Sequence, residues 1–155
     1  MVFVLGIGNR LLSDDGAGPA VIDWLSSDPA RHRHATYRDG GTIGLALLPE
    51  IEDASALIAV DAAELNAAPG TIRVFEGAAM DAQLSGRKKT VHEVALSDLL
   101  SAAALAGTLP ARRALIAIQP ETVEWGTSRS AAVADAIPAA CAAVSELLER
   151  WAAQP

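Results

Sequence analysis

The sequence predicts a single α/β domain spanning residues 1–155, in which a mostly parallel, twisted five-stranded sheet lies in three layers with helices on both faces. Short continuous apolar runs, Val2 to Ile7 and Leu57 to Val60, read as strands buried on both faces. Segments of helical spacing alternate with them, and such alternation gives a parallel sheet with covered faces. The length, 155 residues, is near the commonest size for one domain and buries a core without disulfides or structural metals.

The first run ends at Gly8-Asn9, and a loop from Arg10 to Asp14 follows. Ala17, Ala20, Val21, Trp24 and Leu25 then recur at helical spacing, with Asp14 or Asp15 placed to cap the first turn. Ala35 to Arg38 is a weak second strand, broken by Asp39-Gly40-Gly41. Ile43, Ala46, Leu47, Leu48 and Ile51 trace a second helix, and Leu57 to Val60 is a third strand ending at Asp61. A turn at Ala68-Pro69-Gly70 precedes Thr71 to Phe75, whose alternation suggests an edge strand, with an antiparallel placement left open. Glu76 to Thr90 lacks a period and reads as surface loop. Val94 to Leu105 is a helix, Ala114 to Ile118 the last strand, and Ser130 to about Ala152 a final helix that Pro138 either bends or begins.

A net charge of −7 opposes a nucleic-acid phosphate surface, and the triplet Arg87-Lys88-Lys89 is too short to reverse that. The longest strongly apolar runs fall short of a membrane span and no signal-peptide pattern opens the chain, so a cytoplasmic protein is expected. Cys141, the only cysteine, sits in an alanine-rich helical stretch where nothing would lower its pKa. His32 and His34 form an H-x-H pair in polar sequence, which reads as exposed loop.

Gly6-Ile7-Gly8-Asn9 begins like a dinucleotide-binding turn, but the third glycine of that fingerprint falls on Leu11. Asp14 and Asp15 would also repel a pyrophosphate at the helix N-terminus, so the loop suits a cation. The string from Gly6 to Gly18, Gly-Ile-Gly-Asn-Arg-Leu-Leu-Ser-Asp-Asp-Gly-Ala-Gly, is similar to the opening motif of the nickel–iron hydrogenase maturation endopeptidases. The resemblance continues in order through Asp39-Gly40-Gly41-Thr42, Val60-Asp61-Ala62, Pro69-Gly70, Thr90-Val91-His92 and Ile118-Gln119-Pro120-Glu121.

That resemblance implies a protease that removes the C-terminal extension of a hydrogenase large-subunit precursor after nickel insertion. It implies that Asp15, Asp61 and His92 are the metal ligands and the catalytic site, with Asp15 standing where many relatives carry Glu. The nickel would be carried by the substrate, other divalent metals could occupy the site, and a monomer is expected. Asp15 follows strand one and Asp61 ends strand three, so both carboxylates leave the same sheet edge, where α/β proteins bind ligands. Two carboxylates and an imidazole leave coordination positions open for a substrate. Asp39, Gly40, Gly41 and Thr42 are candidate substrate-binding residues, although a tight glycine turn explains them equally well. No G-x-S-x-G elbow, reactive cysteine or H-E-x-x-H helix supplies a covalent nucleophile or a zinc-protease site. Two rival readings are a non-catalytic nickel-binding chaperone and a nucleotide-binding α/β protein with Asp39 on a ribose.

Overall fold

The computed structural model describes residues 1–28, 30, 33–41, 44–86 and 91–154, and for Val91 and His92 the backbone alone. Its strands are β1 (Val2–Ile7), β2 (Ala35–Gly41), β3 (Ala56–Ala62), β4 (Ile72–Glu76) and β5 (Arg112–Ile118). Its helices are α1 (Ala17–Ser26), α2 (Leu48–Glu52), α3 (Ala78–Leu84), α4 (Val91–Ala106) and α5 (Ala131–Ala152). The strands form one sheet in the order β2-β1-β3-β5-β4, parallel except for β4, which pairs antiparallel with β5 at the edge. The sheet is the predicted one, and the placement left open for the fourth strand is thereby settled.

Apolar runs without alternation form the three central strands because both of their faces are covered. Val4, Ile58, Val60 and Ile116 face α1 and α5, in a cluster with Val21, Ile22, Leu25 and Val144. Phe3, Leu5, Leu57, Ala59 and Leu115 face the other way, against Leu47, Ile51, Met80, Leu96 and Leu99. Each fully buried Leu or Ile contributes roughly 1.5–3 kcal/mol by leaving water, so the two clusters hold the layers together.

Two segments differ from expectation. Residues 76–90 are not all loop, because Ala78–Leu84 form α3. This helix buries only Met80 and Leu84, one turn apart, and seven residues are too few to display a period. The second helix is also shorter than its apolar spacing suggested. It is a 3-10 turn, Leu45–Leu47, followed by the five residues of α2 with Pro49 in its first turn, and Ile43 lies outside the described residues. Pro138 lies inside α5, whose N-cap is Ser130, with the Ser130 hydroxyl accepting from the Val133 amide. By length and composition α5 could cross a membrane, yet it packs against the sheet with eight buried side chains from Val133 to Trp151.

The sheet order places the functional edge. From β1 the chain passes through α1 to β2 on one side, then returns through α2 to β3 on the other side of β1. The carboxyl ends of β1 and β3 therefore flank the switch point of the topology, where the departing connections leave a crevice.

Candidate active site

Asp15 reaches that crevice from a 3-10 turn, Ser13–Gly16, wedged between β1 and α1. The glycines of the opening motif explain how the turn fits. A Cβ on Gly8, whose φ is 139°, would lie 1.8 Å from the Asp15 carbonyl oxygen. A Cβ on Gly18 would lie 2.3 Å from the Val60 carbonyl and 2.4 Å from that of Ile7. Only glycine lets the turn and α1 lie directly on the strand ends. The Asp15 backbone thus occupies the space over Gly8, and its Oδ2 accepts from the Asn9 amide at 2.8 Å. This arrangement disposes of the dinucleotide reading, in which that space belongs to a pyrophosphate.

Neither Asp14 nor Asp15 caps α1, contrary to the sequence reading. The extra 3-10 turn makes Gly16 the N-cap, with no side-chain bond, and the acids fall one and two residues too early. Asp14 turns instead to the loop after β5. Its Oδ2 accepts from the amides of Glu121 (2.9 Å) and Thr122 (3.2 Å) and from the Ser130 hydroxyl (2.8 Å), while Oδ1 accepts from the Ser130 amide (2.6 Å). Burial alone would push this carboxyl up, but the four donors outweigh it and hold it below the usual carboxylate range.

Asp61 has the opposite environment. Strand alternation points it to the face of Leu57 and Ala59, which α4 covers, and it is 1% exposed. Among the described residues neither of its oxygens has a hydrogen-bond partner. Burial first, and then the negative charges of Asp15 and Glu93, push its carboxyl well above the usual range, and the neighbouring Ala62 amide opposes them only weakly. Asp15 and Asp61 are therefore brought close enough to repel each other. His92 lies at the start of α4, one residue before Glu93, with its side chain outside the described residues. Among the described residues no three His, Cys, Asp or Glu side chains are grouped to hold a metal ion.

A buried carboxylate left without a donor is costly unless a cation or a proton completes it, and Asp61 with Asp15 beside it would hold a divalent ion through carboxylate oxygens. Two carboxylates suit such an ion without completing its coordination.

Residues 21–147 match the hydrogenase maturation protease family. The hydrogenase expression/formation protein HupD of Rhodobacter capsulatus is 36% identical over 151 residues, covering 97% of this chain and 72% of that protein. The hydrogenase 2 maturation protease of Escherichia coli K12 is 32% identical over 124 residues, covering 79% and 75%. The chain belongs to the hydrogenase maturation protease family. Among solved structures, the E. coli hydrogenase maturating endopeptidase HybD superposes on this protease with a TM-score of 0.87 at 29% identity, covering 96% of this chain and 92% of that one. The protein is accordingly a peptidase with the family's three-layer α/β fold.

The remaining predicted positions sort by their contacts in the protease. Asp39 ends on β2, where its carboxylate accepts from the Arg10 guanidinium at 2.8 and 3.0 Å and from the Gly41 amide at 2.8 Å. Arg10 also holds Asp23, so the group that a ribose would need on Asp39 is already engaged. Gly40 is not a strand breaker but a bulge within β2, since Gly6 pairs with Asp39 and Ile7 with Gly41. A Cβ there would sit 2.6 Å from Leu5 Cδ1, and Gly41 adopts a φ of 52°. Thr42 lies outside the described residues, as do the basic triplet Arg87-Lys88-Lys89 and His32. His34 is exposed at the start of β2, at the opposite end of the sheet from the carboxylates. Cys141 is buried in the α1 and α5 layer near the Val21 carbonyl, on the face away from Asp61. Gln119 fixes the loop after β5, accepting from the Leu65 amide at 2.6 Å and donating to Glu64 at 3.1 Å.

The sequence reading missed Glu93. It is 7% exposed in the first turn of α4, close enough to Asp61 to disfavour its ionised form. An acidic residue there reads from sequence as a complement to the helix dipole. Its position directly after the motif histidine was the available signal.

Proposed function

We propose that this protease removes a C-terminal extension from a nickel–iron hydrogenase large-subunit precursor once nickel has been inserted, and that it reads the nickel through Asp15, Asp61 and His92. The supporting observation is the Asp61 carboxylate, sealed from water beside Asp15 without a donor among the described residues. A protein that stabilised the Asp61 carboxylate for its own sake would supply an arginine or backbone amides, as it does for Asp14. An incoming divalent ion relieves the repulsion that burial imposes.

In this reading the ion belongs to the substrate, and gripping it places the scissile peptide at the carboxyl edge of the sheet. A divalent ion there polarises a carbonyl or activates a water, and no acyl-enzyme is required. Asp39, Gly40, Gly41 and Thr42 are in this reading the residues that bind the peptide. The enzyme acts as a monomer in the cytoplasm.

The test is incubation of purified protein with nickel-loaded precursor, followed by mass spectrometry of the precursor's C-terminus. A defined mass loss that requires nickel and vanishes in Asp61→Ala and His92→Ala supports the reading. Binding without any mass loss would instead leave a nickel-dependent chaperone.

A further inference from the structure

Nine large apolar side chains are exposed among the described residues, and Leu11, Leu45, Val94, Val123 and Trp125 belong to segments at the carboxyl edge of the sheet. Trp125 is 80% exposed and Leu11 53%. Scattered surface leucines are ordinary, but a tryptophan held open to water is a large apolar area left uncovered.

The loop that carries Trp125 is fastened to the Asp15 turn. Leu12 and Gly126 form a parallel bridge, with the Gly126 amide donating to the Leu11 carbonyl (2.9 Å) and the Ser13 amide to the Gly126 carbonyl (2.8 Å). Trp125 and Leu11 are thus neighbours in register, one step before the bridge. The Ser13 hydroxyl donates to the Glu124 carbonyl at 2.8 Å, and a Cβ on Gly126 would lie 2.8 Å from that hydroxyl. Ser13 itself has a φ of 51°, a left-handed conformation costing about 1–2 kcal/mol that these bonds maintain. Asp14 closes the other side of the same loop through four hydrogen bonds. The backbone that carries the indole is therefore fixed relative to Asp15, not part of a free loop.

We infer that Leu11, Val123 and Trp125 form the docking ridge for the large-subunit precursor, with Trp125 as its anchor against apolar precursor surface beside the nickel. The inference rests on the function proposed above. A free ion needs only the carboxylates, whereas a folded protein presenting that ion must meet the surface around them, and this ridge is continuous with it. A tryptophan on an anchored backbone has only two side-chain torsions to restrict on contact, and tryptophan is among the residue types most enriched at binding hot spots.

The experiment compares wild type, Trp125→Ala and Trp24→Ala on nickel-loaded precursor. Trp24 is a control, 51% exposed near the end of α1 remote from the carboxylates. Trp125→Ala is expected to raise KM at least about tenfold with kcat and melting temperature unchanged, and Trp24→Ala to change none of these. Trp125→Phe should recover part of the loss. An unchanged KM in Trp125→Ala, or an equal rise in Trp24→Ala, overturns the ridge while leaving the protease function standing. A wild-type dimer in light scattering that Trp125→Ala makes monomeric also overturns it, assigning the surface to a second copy. If wild type cuts nothing, the function falls, and precursor binding then decides the ridge. Affinity that Trp125→Ala lowers tenfold supports it, and no binding overturns it.

Discussion

Asp14 and Asp61 leave the same edge of the sheet and both are sealed from water, but their surroundings are opposite. Asp14 gathers donors from residues 121, 122 and 130, whereas Asp61 faces two other carboxylates and among the described residues has no donor. The same residue type, equally closed to solvent, is therefore placed in two different ways. One closes a loop by consuming its hydrogen-bonding capacity, and in the function proposed above the other keeps that capacity for an ion arriving from outside. Solvent exposure does not distinguish them, and partner count does.

The contrast can be broken most directly at the site itself. Asp61→Ala and His92→Ala are each expected to slow processing of nickel-loaded precursor by at least about 10³-fold, with circular dichroism of the fold unchanged. Wild-type rates in either variant would remove Asp61 from the reserved role.

The next effect belongs to Asp14. Asp14→Ala should cost on the order of 3–5 kcal/mol in urea unfolding, since bonds to a charged group are worth ~1.5–3 kcal/mol each. A loss below about 1 kcal/mol would mean that the loop holds itself without the carboxylate.

Acid titration sharpens the pair further, because the two groups have shifts of opposite sign. Asp61 has its folded pKa raised, so the folded state holds more protons, and its contribution to stability falls as pH rises from about 3.8 through the folded value. Asp61→Asn should therefore stabilise the metal-free protein at neutral pH, by on the order of 1–3 kcal/mol, with the gain vanishing towards pH 4. Asp14 has its folded pKa lowered, so its stabilisation is present above about 3.8 and is lost as pH falls below it. A melting curve for Asp61→Asn that merely parallels wild type across pH would contradict the assignment.

The smallest effect is expected at Arg10. Its bonds to Asp23 and Asp39 are well formed but exposed, so Arg10→Gln should change stability by less than about 1 kcal/mol. A larger loss in chemical denaturation would show that β2 depends on this pair for its place beside β1.

Much of this was legible in the sequence because it was local. The continuous run Val2 to Ile7 specified a central strand to the residue, and the alternation of Thr71 to Phe75 specified an edge. The glycines at 6, 8, 16 and 18 were legible as a pattern but not as a cause, since what they make room for is the Asp15 turn and the ends of β1 and β3. What was hidden depends on tertiary partners. Asp14 looked like a helix cap because its real donors lie 107 to 116 residues away. Glu93 went unread because its burial arises only when α4 packs on the sheet. The exposed indole of Trp125 could not be distinguished from a core tryptophan such as Trp151 without knowing which way its loop turns.

Those long separations carry a consequence for biosynthesis. While the chain leaves the ribosome, β1 and the turn after it emerge well before Ser130, and the carboxylate at position 14 lacks its last donors until Ser130 has been made. The edge that would receive the metal is thus assembled only after Ser130 has been made, more than a hundred residues after the turn it closes. Chains halted before Ser130 should retain the early strands yet lack an ordered rim, a difference that limited proteolysis of stalled chains would reveal.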